Sequence, residues 1–392
     1  MQTSPAGGAA SRSSAGTVLG STVLRAIVEI AIAAIGLGLI AWAAIANQQW
    51  FDRHFLPAFF VSRYWYVILE SIGRIGAAAL GITLTLVVRR RAGAMVSRQP
   101  LLVLNIVAAI VLAFGVSEFV LSELHTYAAE QEPLGQEPRR RIDARLGWTF
   151  VPSRAAEHLE NGRRIEYAFD AHGYRVRRLD DAVDFDKPTL VFTGESIMVG
   201  EGLTWEESVP AQVGALLGMQ SANLAVSAYA SDQAYMRLQA ELPRFHRPVA
   251  IVTVFSPNLF DRNMDSDRPH LGPGLVWQPA VRRWRLLEII RLLVRYRKPE
   301  TIDRGIAVTR EILRASTELA RSRGATPLIV VPQFVPELPE EERLRHRVLE
   351  DSGLPVVRVE LDGRWRIPRD GHPDARAAHA IAEAIAARLK SG

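Results

Sequence analysis

The sequence contains no cysteine in 392 residues. Disulfides and thiolate metal sites are therefore excluded, while the redox compartment stays open. Nine histidines are scattered without HExxH-type spacing, which argues against a protein-built zinc site. There is no long basic stripe and no RNA- or DNA-binding signature. With 47 Lys+Arg against 42 Asp+Glu, charge is nearly balanced and no nucleic-acid partner is expected. No cofactor or metal is expected either. Trp148, Trp205, Trp277 and Trp365 are dispersed, so no clustered aromatic platform of the kind that lines sugar clefts can be read. What is abundant is apolar: 48% hydrophobic residues, enough for a sizeable core and two or three units.

The first third of the chain has membrane character. Residues 1–22, rich in Ser, Ala and Gly, read as a disordered cytoplasmic tail. Residues 23–124 read as a three-helix transmembrane region. Its apolar runs lie at 23–46, 64–88 and 101–121, each reaching the ~20 residues that cross a bilayer as a helix. Ala44-Ile45-Ala46 resembles a signal-peptide cleavage site, but the run before it is longer than the usual ~7–15-residue apolar region, which favours an uncleaved anchor.

Basic residues set the expected orientation. Arg12 and Arg25 mark the tail, and Arg89, Arg90, Arg91 and Arg98 mark the second loop, as cytoplasmic. The first loop is flanked by Trp50, Phe51, Tyr64, Trp65 and Tyr66, an aromatic interface belt. Everything after Leu124 is then outside, in a bacterium the periplasm or the cell surface. Glu70 and Arg74 lie four apart on one face of the second span, with Glu118 in the third at similar depth. Charges there suggest function or a neutralised interhelical clasp.

Residues 125–186 read as an extracytoplasmic linker and a small β-rich element, with strand-like 147–152 and 164–169 around Asn161-Gly162. From 187 to 392, strands near 189–193, 220–224, 249–255, 327–331 and 355–359 alternate with helices near 206–217, from 232, 281–297, 302–323, 339–350 and 374–389. Such alternation implies an α/β domain, a parallel sheet with helices on both faces.

Chemistry-bearing residues recur after the strands. Thr189–Ile197 is an apolar run stopping at Gly194-Glu195-Ser196, which puts a serine just past a strand's C-terminal edge, where open α/β sheets hold their sites. Asn223-Leu224-Ala225-Val226-Ser227-Ala228 follows the second strand, and Phe255-Ser256-Pro257-Asn258 ends the third. Asp370-Gly371-His372 precedes the last helix. A serine hydroxyl becomes a useful nucleophile when an imidazole takes its proton during attack. Asp370, two residues before His372, is placed to fix the tautomer and stabilise the imidazolium. Asp170-Ala171-His172 repeats the spacing but lies before the sheet without a following helix, and His379 reads as a helix residue.

At these residues the sequence resembles the SGNH/GDSL hydrolase superfamily, in its membrane-anchored bacterial form. The resemblance covers roughly 187–390, in the right block order, and implies an SGNH-type (flavodoxin-like) sheet. Ser196 matches the nucleophile, His372 the base and Asp370 the acid. Ser196 N–H, the backbone N–H of Ala228 and the Asn258 amide match the oxyanion donors. Gly147-Trp148 and residues 170–175 look like the segment that precedes this domain in such members. Three departures stand out: Glu195 for the usual Asp, Ala228 for Gly, and Leu259 for the Asp that commonly follows the asparagine.

The expectation is a multi-pass protein of a bacterial inner membrane presenting a serine esterase domain outside. Its substrate would be an ester, with O-acetyl groups of envelope carbohydrate implied by the resemblance. Two alternatives are an O-acyltransferase to a cell-surface glycan, which would need a separate acyl-donor membrane partner, and a non-catalytic envelope-binding domain. Residues 281–297, with six arginines around an apolar face, form a basic amphipathic helix that would either lie on membrane lipid or cover the domain's core.

Overall fold

The computed structural model describes residues 11–54, 56, 63–130, 138–160, 162–281, 284–286, 296–350 and 352–391. A helical unit comprises Met1–Arg53 and Arg63–Ser122, and an α/β unit comprises His54–Ser62 and Glu123–Gly392. The helical unit contains α1 (Ser11–Ile45), α2 (Gln48–His54), α3 (Arg63–Thr83), a π-helical turn at Leu84–Val88, α4 (Arg89–Arg98) and the start of α5 (Pro100–Glu130). Three stretches are long and apolar enough to cross a membrane: Thr22–Ile45, Tyr64–Arg98 and Pro100–Leu124.

Two expectations change here. Helix α1 starts at Ser11, so residues 11–22 are helical where a disordered tail was expected. Once an apolar run has nucleated a helix, extending it by a residue is far easier than starting one. The arginine-rich second loop is also helical, as α4. Only Gln99 interrupts it, at φ −140°, ψ 64°, because a residue before proline is pushed out of the helical region.

Helices α1 and α3 meet through glycine. A Cβ on Gly36 would lie 2.3 Å from Thr85 Oγ1 and 2.7 Å from the Gly81 carbonyl oxygen, and one on Gly81 would lie 2.5 Å from that of Gly36. No larger residue permits this approach. Arg74 sits 3.7 Å from Glu70 and donates through Nε to the Ala43 carbonyl at 2.9 Å. That favours the clasp reading of this pair.

In the α/β unit an eight-stranded sheet has the order β12-β11-β8-β6-β7-β5-β4-β3. Its parallel part comprises β6 (Thr189–Thr193), β7 (Gln220–Asn223), β8 (Pro248–Val254), β11 (Thr326–Val335) and β12 (Val356–Asp362). In chain order these strands run 2-1-3-4-5, the flavodoxin-like winding. Strand β6 is buried throughout. Leu190 and Phe192 enter one core cluster with Val252, Val330 and Ile381, while Val191 enters the other with Ile251, Leu238 and Phe245. A two-residue period and helices on both sides require this division. Helices α6 (Ser196–Val199), α7 (Val209–Leu217), α8 (Ser231–Glu241), α9 (Pro299–Ser322), α10 (Pro339–Leu349) and α11 (Ala375–Lys390) complete the alternation.

The separate β-rich element expected at 125–186 is instead largely part of this sheet. Strands β3 (Arg154–Glu160), β4 (Arg163–Phe169) and β5 (Arg175–Val176) extend it antiparallel, beginning at the Arg175–Asn223 pair. Ile165, Tyr167 and Phe169 bury in the common core, and β7 is spared an exposed edge. Outside the sheet, β1 (Arg140–Asp143) and β2 (Gly147–Phe150) form an antiparallel hairpin, and β9 (His270–Leu271) pairs with β10 (Trp277–Gln278). Most of the basic amphipathic helix expected at 281–297 lies outside the described residues.

Candidate active site

The site forms where β6 ends. Gly194 has φ +145°, and a Cβ there would come 2.3 Å from Val254 Cγ1, so the turn out of the strand requires glycine. Glu195 caps α6 by accepting the Ile197 N–H, and Gly200, at φ +78°, ends that helix after one turn. Ser196, 3% exposed, is held at the helix start.

The other half of the site is the loop between β12 and α11. Gly371 N–H donates to the Ile367 carbonyl and Ile367 N–H to that of His372, at 3.0 and 2.8 Å. Arg366 donates to the Gly371 carbonyl at 2.7 Å. Asp374 then caps α11 by accepting from Arg376 and Ala377 N–H. The imidazole so held places His372 Nε2 2.8 Å from Ser196 Oγ, while Nδ1 is hydrogen-bonded to Asp370 Oδ1. Burial pulls the His372 pKa down, but the Asp370 hydrogen bond and the charges of Glu201, Asp370 and Glu195 outweigh it, leaving the pKa raised. This imidazole is a ready proton acceptor.

Ser196 Oγ has a second neighbour that sequence reasoning missed. It lies 2.7 Å from Glu195 Oε2, which also accepts the Ile197 N–H at 3.1 Å; Glu195 Oε1 is 3.5 Å from Ser256 Oγ. A glutamate is one methylene longer than aspartate, so the carboxylate folds back over its own helix start. The hydroxyl has one proton and two acceptors.

The proposed oxyanion donors are arranged unequally. The turn after β7 is tied to Gly194, whose carbonyl accepts the Val226 N–H at 3.2 Å. Within it Ala228 adopts φ +65°, in the left-handed region natural to glycine; for alanine this conformation costs roughly 1–2 kcal/mol. Among the described residues neither Ser196 N–H nor Ala228 N–H has an acceptor. Asn258 is half-buried at the start of the 3₁₀ helix Pro257–Met264 after β8.

Neither alternative histidine approaches the serine hydroxyl. Asp170 Oδ1 accepts the N–H groups of His172 and Tyr174, and the His172 ring packs against Tyr174 and Phe185. His379 bonds Gln212 on α7 and lies 3.3 Å from Glu383.

Residues from the antiparallel extension also reach the site's scaffold. Fully buried Arg175 donates to the carbonyls of Val199 and Gly200 at 2.7 Å, at the open end of α6, and to that of Leu203, just beyond it, at 2.6 Å. Its guanidinium lies 4.6 Å from the centre of the Tyr167 ring, and Tyr167 Oη accepts the Gly202 N–H. The 170–175 motif contained Arg175, but nothing local to it says which carbonyls it reaches.

No family model matches the sequence and no curated protein matches it. Solved structures do. A protein assigned to the lipolytic G-D-S-L family from Desulfitobacterium hafniense DCB-2 aligns at 12% identity over 51% of this chain and 99% of its own, with a TM-score of 0.35. Two more are an acetyl xylan esterase from the rumen bacterium Butyrivibrio proteoclasticus (13% identity, 53% of this chain and 64% of its own, TM-score 0.32) and a salicylyl-acyltransferase from a tetracycline biosynthetic pathway (18%, 54% and 57%, TM-score 0.31). The α/β unit has the 2-1-3-4-5 flavodoxin-like winding, with a serine at the end of its first parallel strand. At these identities the α/β unit takes neither role nor substrate from these structures.

Proposed function

We propose that this chain is a membrane-anchored serine esterase whose SGNH-like domain works through an acyl-enzyme at Ser196. The observation that carries the reading is the 2.8 Å approach of His372 Nε2 to Ser196 Oγ, with Asp370 on the other ring nitrogen. Ser196 Oγ attacks the ester carbonyl as its proton passes to His372 Nε2, and Asp370 steadies the imidazolium. Negative charge gathers on the carbonyl oxygen, where the N–H groups of Ser196 and Ala228 and the Asn258 amide are the proposed donors; losing one such donor typically lowers kcat by about 10²–10³. Collapse of the tetrahedral intermediate expels the alcohol, which takes the proton from His372. Water then repeats the sequence on the acyl-enzyme and frees the acid.

The anchor is the set of three apolar helices, and the arginine distribution supports a bacterial inner-membrane protein with its SGNH-like domain in the periplasm or at the surface. Substrates there are esters such as O-acetyl groups of envelope carbohydrate. Transfer to a glycan hydroxyl would differ only in the acceptor, plus a membrane partner to deliver the acyl group. The full chain in detergent should turn over p-nitrophenyl acetate and label with a fluorophosphonate in a Ser196-dependent way. A folded wild-type chain that does neither refutes the proposal, and acetylated sugar without free acetate would make it a transferase.

A further inference from the structure

The β1–β2 hairpin stands outside the main sheet, yet one of its residues grips the turn that bears Ala228. Trp148 Nε1 donates to the Ser227 carbonyl at 3.0 Å. On the other side of Ala228, Tyr229 Oη donates to the Trp148 carbonyl at 2.7 Å, with the two rings edge to face at 5.9 Å. Burial raises the Tyr229 pKa to about 12 against the lowering charge of Arg237, which keeps the phenol a donor. Trp148 is itself held: it pairs with Ile142 in the hairpin, and Gln233 at the start of α8 donates to the Leu146 carbonyl at 2.6 Å while accepting the Ala230 N–H.

The Ser227 carbonyl and the Ala228 N–H belong to one planar, trans peptide and point in opposite directions. Fixing the first therefore fixes the second. Ala228 is strained at φ +65°, and the motion that relieves the strain is a flip of this same peptide. A flip carries φ of Ala228 back to negative values, turns its N–H around, and breaks the bond from Trp148. An indole is a donor only, so its hydrogen bond holds one of the two orientations and not the other.

We propose that Trp148 is a positioning residue for ester chemistry at Ser196, its indole N–H locking the Ser227–Ala228 peptide in the orientation that offers the Ala228 N–H as an oxyanion donor. This rests on the reading of Ser196 as nucleophile. The hairpin thereby serves a residue some eighty positions downstream, and alanine can stand at a glycine position because the strained peptide is held from outside.

The test is a double-mutant cycle on the full chain in detergent, read by p-nitrophenyl acetate hydrolysis and fluorophosphonate labelling. Trp148→Phe should lower kcat about 10- to 100-fold, as expected for a misdirected oxyanion donor, with KM changed less than about twofold. In an Ala228→Gly background the same substitution should lower kcat less than about threefold, because glycine gains nothing by flipping. Equal losses in both backgrounds, or a loss carried by KM, would overturn the lock. Should Trp148→Phe not fold, β-(3-benzothienyl)alanine at position 148 keeps the ring shape without the N–H and gives the same readings. If wild type neither labels nor turns over, the serine reading fails by itself. A crystal structure of either position-148 variant then decides the lock: a negative φ at Ala228 supports it, and a φ still near +65° refutes it.

Discussion

Asp170-Ala171-His172 and Asp370-Gly371-His372 have the same spacing and share one hydrogen bond. In each, aspartate Oδ1 accepts the histidine backbone N–H, at 2.8 Å in the first and 2.9 Å in the second. They part beyond that bond. At 170 the second bond to Oδ1 comes from Tyr174 N–H at 3.0 Å, and the His172 ring packs on Tyr174 and Phe185. At 370 the second bond comes from the imidazole itself, which is left reaching Ser196. An aspartate two residues before a histidine thus specifies a bond to the histidine's backbone. Whether the ring becomes a base depends on what faces its far nitrogen.

The largest expected effect separates the two histidines. His372→Asn should lower kcat for p-nitrophenyl acetate by about 10⁴ or more, while His172→Asn should stay within about twofold because it touches no reacting atom. Comparable losses in the two variants would erase the distinction.

The two aspartates should diverge in the kind of damage. Asp370→Asn is expected to lower kcat by about 10³–10⁴ through the wrong imidazole tautomer, with little change in melting temperature. Asp170→Ala should leave kcat intact and lower stability by about 1–3 kcal/mol, since two N–H groups in a buried turn lose their acceptor. Thermal melts beside steady-state kinetics read both.

The smallest effect is a pH shift. His372 must be neutral to accept the Ser196 proton, and its pKa is raised because the Asp370 bond and the charges of Glu201, Asp370 and Glu195 outweigh its burial. The acid limb of kcat/KM should therefore lie above that of a free imidazole, and Glu195→Gln should move it down. A limb unmoved by that change would remove Glu195 from the balance. The sign for stability is separate. A raised folded-state pKa makes His372 stabilising below its unfolded pKa, and that contribution fades as pH rises through the folded value.

Much of the architecture was legible in the chain itself. All five parallel strands lie within a few residues of those expected, and β6 and β8, buried almost throughout, are near-continuous apolar runs, as strands covered on both faces must be. Ser196, Asp370 and His372 were legible from their positions past strand ends and before a helix. Glu195 read only as a retained charge, since the methylene that folds its carboxylate onto Ser196 Oγ acts through a turn. Strands β3–β5 read as a separate element because antiparallel pairing to β7 joins Arg175 to Asn223, a partnership with no local signature. Trp148 and Arg175 stood in noticed motifs, but their acceptors are carbonyls from 24 to 79 positions away, and a carbonyl looks the same at every residue.

The sequence by itself determined the apolar helices, the strand–helix alternation of the α/β unit and a serine just past a strand's end, because periodicity, turn residues and spacing act over a few positions. Tertiary structure alone decided that β3–β5 join the main sheet, what Glu195 reaches and how alanine holds a left-handed turn at 228. Those outcomes depend on distances between segments far apart in the chain, set by packing across the sheet and not by any residue's own propensity.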